Sequence, residues 1–222
     1  MKILGLDSSG IVASVAIVED ENLIAEYTVN YKKTHSQTLL PMLDELAKMT
    51  ELDMDTIDAI AVAAGPGSFT GLRIGSATAK GLGLALKKPL VEIPTVDALA
   101  YNLYDAKALI CPIMDARRSQ VYTGIYRFED HKLVTVEAQM AVPMMEMIDK
   151  LNERGEEVIF LGDGVPVFAK MIQENLKVPY SFAPAHVNKQ RAAAVAALGA
   201  LYAKEGKVVT AMEHVPEYLR VS

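Results

Sequence analysis

The sequence predicts a duplicated α/β fold made of two lobes, each running βββαβα. Three observations carry this. Two apolar strand-like runs end on aspartates, Asp7 and Asp115, about half the chain apart. An apolar run meets a glycine elbow in each half, at Gly65 and at Gly162. Helical spacing of apolar residues follows each elbow. With 222 residues, 51% of them apolar, the chain can bury about 70–75% of its unfolded surface. The expected lobes are 1–106 and 107–222, with the last helix of the second packing back on the first.

Each element has its own reason. Residues 3–6 read as a buried strand closed by the turn Asp7-Ser8-Ser9-Gly10. Strands 12–18 and 23–29 flank the turn Glu19-Asp20-Glu21-Asn22, so the chain opens as a meander. In 35–49, Leu39, Leu40, Leu43, Leu46 and Ala47 recur at helical spacing. Strand 57–64, the first elbow, helix 71–87, strand 90–93 and helix 95–103 follow. The second half repeats the order, with strands 109–114, 120–128 and 133–136, helix 144–154, strand 158–161, the elbow Gly162-Asp163-Gly164 and helix 165–175. Pro112 lies inside a predicted strand and removes a ladder donor, so a bulge or a gap in the ladder is expected there. An alanine-rich helix spans 188–205. The methionines 140, 144, 145 and 147 read as helix core and gap filling.

Composition excludes several classes. The net charge of −6 lacks the basic footprint of an independent nucleic-acid binder. No apolar stretch reaches the roughly 18 residues of a membrane span, and the chain starts directly in a strand pattern, so a cytoplasmic protein without a signal peptide is expected. A single cysteine, Cys111, forms no internal disulfide and fits a buried strand position better than a nucleophile.

The most informative stretch is Gly65-Pro66-Gly67-Ser68-Phe69-Thr70-Gly71-Leu72-Arg73-Ile74-Gly75. Strand, glycine elbow and helix start can converge backbone N–H groups on an anion, but Leu72 follows Gly71 where a Walker loop needs lysine. Ser68 and Thr70 suit helix capping. Beyond the elbow, Gly71, Gly75, Ala79 and Gly83 fall every fourth residue, and Ala77, Gly81 and Ala85 form an adjacent row. Helical glycine costs about 1 kcal/mol relative to alanine, so such rows need a reason. Close approach of another backbone supplies one, and packing of one row on the protein's own sheet is the competing reading.

Two βββαβα halves match the actin, sugar-kinase and Hsp70 (ASKHA) architecture. The elbow run from Ala64 to Gly75 resembles the signature of the TsaB (YeaZ) family. So do Ile3-Leu4-Gly5-Leu6-Asp7-Ser8-Ser9, the segment Asp115-Ala116-Arg117-Arg118 with Val121-Tyr122, and Pro216-Glu217-Tyr218-Leu219-Arg220. The resemblance implies a part in making threonylcarbamoyladenosine beside the tRNA anticodon. It implies a non-catalytic partner of the paralogous transferase TsaD, with the TsaE ATPase joining the pair, and a homodimer when TsaD is absent. Contact with tRNA is then expected only through the complex, and no membrane is involved. No cofactor is expected for the isolated chain, with ATP or ADP at the interface of the complex.

The residues bear on these expectations. TsaD carries a His-x-x-x-His pair that holds a metal. Here His35 is followed by Leu39, so neither a metal site nor a catalytic residue is expected. Asp7, Ser8, Gly65, Gly67 and Ser68 are the weak candidates for a cofactor, set against an ordinary Asx turn and helix cap. Arg117 and Arg118 could grip an anion, though a solvated turn is the ordinary reading. Leu39, Leu43, Leu46, Gly71, Gly75, Ala79 and Gly83 are the expected partner interface, and leucine at Gly75 or Gly83 is expected to block pairing while sparing the fold. Two alternatives stand beside this: a nucleotide-dependent ASKHA enzyme in its own right, or a dinucleotide-binding oxidoreductase in which Glu92 follows the elbow as a ribose-binding acid.

Overall fold

A computed structural model of the chain describes residues 1–31 and 34–219; Arg220, the last residue of the terminal motif, lies outside them. The chain divides into two compact units, Met1–Ala98 with Gln190–Tyr218, and Leu99–Lys189. The first unit therefore ends earlier than residue 106 and regains the chain at 190, because the last helix packs on the first sheet.

In the first unit, β1 (Lys2–Asp7), β2 (Ala13–Glu19) and β3 (Asn22–Val29) form an antiparallel meander. After α1 (His35–Met49), β4 (Ala59–Gly65) pairs parallel with β1. Then come α2 (Phe69–Leu86), β5 (Leu90–Pro94) and α3 (Thr95–Tyr101), giving the sheet order β3-β2-β1-β4-β5. The second unit repeats it. Strands β6 (Leu109–Asp115), β7 (Gln120–Glu129) and β8 (Lys132–Pro143) make the meander. Following α4 (Met144–Arg154), β9 (Val158–Leu161) pairs parallel with β6, and beyond α5 (Val165–Asn175) lies β10 (Tyr180–Phe182). The order β8-β7-β6-β9-β10 is the first sheet again, strand for strand. The duplication is thus one of topology.

Period-two alternation splits the first sheet between two layers. Leu4, Leu6, Val15, Ile17, Ile60 and Val62 join Leu39, Met42, Leu43 and Leu46 of α1 in one core. The opposite face takes α6 (Ala192–Lys204). There the sheet is stripped of bulk: a Cβ at Gly5 would strike the Ala192 carbonyl, and one at Gly199 would sit 2.5 Å from Ala61 Cβ. The start of α6 is tied down by Ser14 Oγ, which accepts from Ala192 N at 2.9 Å, and by the Glu26 carboxylate, which accepts from Ala193 N and Arg191 Nε.

Several expectations are corrected. Strand β8 runs to Pro143 rather than ending at 136, and β10 has no counterpart in the expected pattern. Helix α6 starts at 192, four residues later than its alanine-rich run suggests. Met144 and Met147 are core residues, but Met145 is exposed and Met140 lies in β8, packed against the core from the sheet. The interruption expected at Pro112 is present: β6 and β7 keep one register from Ile110–Tyr126 to Ile113–Thr123, but Cys111 and Pro112 have no partner in that ladder. The irregularity between β7 and β8 falls around Gly124, opposite Pro112.

Candidate functional site

The first elbow is built by the chain folding onto itself. β1 ends at Asp7, whose Oδ1 accepts from Ser9 N at 2.9 Å and from Ser9 Oγ at 2.6 Å, an Asx turn that points Ser8 and Ser9 toward α2. Ser8 Oγ donates to the Gly71 carbonyl at 2.8 Å, and Ser68 N donates to the Ser9 carbonyl at 2.7 Å. A Cβ at Gly67 would strike the Ser9 carbonyl, one at Gly71 the Ser8 carbonyl, and one at Gly75 would lie 2.6 Å from Ser8 Oγ. Gly65, at φ +126, makes room for the Glu217 carbonyl, and Glu217 N donates to the Ala64 carbonyl at 2.7 Å. Ser68 is the α2 N-cap and accepts from Gly71 N, whereas Thr70 lies exposed within the first turn. These contacts account for Asp7, Ser8, Gly65, Gly67 and Ser68 without a ligand. Ser68 N, Gly71 N and the Ser8 hydroxyl are thereby committed within the chain.

Burial sorts the two small-residue rows. Gly71, Gly75, Ala79 and Gly83 are all buried, as are Leu39, Leu43 and Leu46, none more than 5% exposed. The seven residues expected at a partner interface are thus occupied inside this chain, and leucine at Gly75 or Gly83 would disturb the fold it was expected to spare. The second row faces outward. Ala77, Gly81 and Ala85 are exposed, and a Cβ on Gly81 would meet nothing within 4 Å. Arg73, Phe69 and Leu84 extend this face, and Leu40, Pro41, Asp44, Glu45, Lys48 and Met49 are among the exposed residues of α1. Helix α2 carries Arg73 and Lys80 and no acid. The row expected at the interface is the one that faces inward; glycine and alanine give no contrast in hydropathy between the two sides of a helix, so the sequence does not show which row is buried.

His35 Nε2 donates to the Gly10 carbonyl at 2.8 Å. Cys111 is fully buried, and burial pushes its thiol up to about 12, which makes it inert at neutral pH. Arg117 bonds the Asp115 carboxylate at 3.2 Å across the turn in which Arg117, Arg118 and Ser119 all have positive φ. Burial raises the Asp163 carboxyl, the nearby Lys189 opposing it. Glu92 Oε1 accepts from His214 Nδ1 at 2.7 Å and from Val215 N at 3.2 Å. Together with the antiparallel opening of the sheet, this leaves no ribose acid for a dinucleotide.

Two five-stranded sheets of identical order, each a meander continued by parallel strands, define a duplicated ASKHA-like protein. The model for the tRNA N6-adenosine threonylcarbamoyltransferase family, TsaD, matches residues 22–222. The tRNA threonylcarbamoyladenosine biosynthesis protein TsaB of Bacillus subtilis is 33% identical over 222 residues, all of this chain and 95% of that protein. YeaZ from Pseudomonas aeruginosa superimposes with a TM-score of 0.81 at 25% identity, over 98% of this chain and 99% of that one. A polyphosphate/ATP-glucomannokinase from Arthrobacter shares the fold, with a TM-score of 0.52 at 16% identity over 92% and 99% of the two chains. The chain belongs to the TsaB (YeaZ) family, whose members take part in tRNA threonylcarbamoyladenosine biosynthesis. Among the described residues no helix is long and apolar enough to cross a membrane.

Proposed function

We propose that this chain is the non-catalytic subunit that TsaD requires for threonylcarbamoyl transfer, and that it acts by presenting the outer face of α2 to its paralogue. One observation carries the reading: α2 exposes Ala77, Gly81 and Ala85, and Gly81 has no neighbour to make room for. A helical glycine costs about 1 kcal/mol, and here nothing inside the chain benefits. Close approach of another helix would use the space. Charge suits a relative of this same fold as the occupant, because the basic α2 lies beside an α1 that exposes Asp44, Glu45 and Lys48. The lysine pairs with Asp44 at 2.6 Å, which leaves that face net acidic through Glu45. A twofold or pseudo-twofold pairing sets each basic helix against an acidic one. Two copies would pair the same way when TsaD is absent. TsaE, tRNA and any ATP or ADP then engage the assembled pair rather than this chain alone.

Reconstitution tests this. Threonylcarbamoyl transfer to tRNA by TsaD should need this protein, and Gly81→Leu should abolish the stimulation while leaving the melting temperature in place. Transfer by TsaD alone at the full rate, or turnover by this chain alone, would sink the reading.

A further inference from the structure

We propose that residues 208–218 form part of the docking face, as a strap held in place by His214 on Glu92; the inference rests on the docking reading above. The strap is anchored to the first sheet at three points. Leu90 N donates to the Val209 carbonyl at 2.8 Å, and Val209 N returns the bond at 2.9 Å. The Glu92 carboxylate takes His214 Nδ1 and Val215 N, with the imidazole fully buried. Glu217 N bonds the Ala64 carbonyl. A capping turn, in which Glu213 accepts from Thr210 N and Oγ1, hands the chain from the first anchor to the second.

The strap also spans α2. Ala211 lies against Gly83 near one end, and Tyr218 stacks on Phe69 at the other, with ring centroids 5.2 Å apart and Arg73 over the Phe69 ring. The fourteen helical steps from Phe69 to Gly83 cover ~21 Å, and the seven steps from Ala211 to Tyr218 can reach ~23–25 Å. Covering the β5 edge explains the backbone bonds, but it does not explain the side chains. Met212 is 76% exposed, Val215 66% and Tyr218 39%. Met212 and Leu84 line one open groove with Lys87 and Lys88 and no acidic residue. Met212 and Tyr218 thus lie at the two ends of the exposed face of α2. The occupant we commit to is the paralogue's helical face, because the apolar rim and Lys87 and Lys88 suit a helix of the kind this chain itself exposes in α1, with Leu40 beside Glu45. His214 and Glu92 act as positioning residues.

Titration calorimetry of the full chain against purified TsaD gives the test. Met212→Ser should weaken binding about fivefold or more with no change in melting temperature, and Tyr218→Ala, which also removes the stack on Phe69, should weaken it as much with only a small loss of stability. Glu92→Gln should weaken binding too, and should speed amide exchange at Val215 and Glu217 by about tenfold. Wild-type affinity in both surface variants overturns the proposal, as does faster strap exchange in Glu92→Gln with unchanged affinity. Should the wild-type chain bind and Gly81→Leu fail while the strap variants bind normally, only the strap inference falls. Should the wild-type chain not bind TsaD at all, both readings fall.

Discussion

Helices α2 and α5 hold the same place in the two lobes, each leaving a glycine elbow at the end of a parallel strand. Their elbows work alike. Gly67 and Gly71 admit the carbonyls of Ser9 and Ser8, and Gly162 and Gly164 admit that of Ile113, with Gly164 N donating to it at 3.0 Å. In both lobes the first strand, or the turn leaving it, packs directly on the elbow glycines. The helices then diverge. α5 is an ordinary amphipathic helix of 11 residues that buries Phe168 and Ile172. α2 has 18 residues, buries glycine and alanine, and exposes more of the same. Elbow and fold therefore account for one small row of α2 and leave the other unexplained, which is why the outer row carries the functional reading.

The comparison breaks most visibly inside α2. Gly71→Leu would drive a side chain into the Ser8 carbonyl, a backbone atom that cannot swing aside. A loss of about 3 kcal/mol or more is expected, with failure to fold as the extreme. Gly81→Leu, ten residues on, should change stability by less than ~1 kcal/mol. Thermal melts followed by circular dichroism compare the two, and equal destabilisation would mean that the outer row is packed after all.

In α5 the sensitive atoms are bulky. Phe168 is 4% exposed and sits in the second core with Cys111 and Phe160. Phe168→Ala should cost about 3–4 kcal/mol through lost burial and a residual cavity, read from urea midpoints. Partner binding should survive wherever the variant remains folded, because α5 takes no part in the proposed docking.

How far the sequence disclosed these differences depends on local contrast. α1 and α4 begin and end where their patterns say. In α4 the reason is visible: Pro143 precedes it and Gly155 closes it in the left-handed conformation. β10 was illegible because three residues, Tyr180, Ser181 and Phe182, fall between prolines and show no period. β8 was cut short because Glu137 interrupts its apolar alternation, and that glutamate points inward for a reason that lies elsewhere in the chain. The glycine elbow was recognisable as strand, turn and helix, but its occupants, Ser8 and Ser9, come from sixty residues away. Likewise Glu92 revealed nothing of His214, since pairs at long separation leave no spacing to read.

The inward glutamates repay comparison. Glu26 in β3 and Glu137 in β8 sit on equivalent strands, and each ties a helix to its sheet. Glu26 holds the start of α6, while Glu137 takes Arg154 at 2.8 Å and Lys150 at 3.2 Å, both from α4. The Arg154 guanidinium, with Lys150 helping, holds the Glu137 carboxyl below the usual range. A depressed carboxylate contributes stability above its unfolded pKa, about 4.3, and loses it as pH falls through the lower folded value. Glu137→Gln should therefore cost ~1 kcal/mol near neutral pH. The gap to wild type should close below about pH 4, measured as urea midpoints across pH. A gap that persists in acid would assign the effect to packing rather than to charge.

The smallest expected effect discriminates most sharply between fold and function. Gly81 is helical and exposed, has no positive φ, and would meet nothing if given a Cβ. Nothing in the isolated chain opposes Gly81→Ala, so the change should stabilise it by roughly 0.5–1 kcal/mol by removing backbone freedom from the unfolded state. At Gly75 the same alanine would meet Ser8 Oγ and should destabilise instead. A glycine kept where alanine is better for folding implies a cost somewhere else. On the docking reading that cost is distance, because a methyl on the outer row holds the facing helix away. Gly81→Ala should thus raise the melting temperature of the free chain and weaken pairing with TsaD in the same preparation. A variant that gains stability and pairs as tightly as wild type would show that the outer row tolerates bulk, and would move the contact toward α1 or the strap.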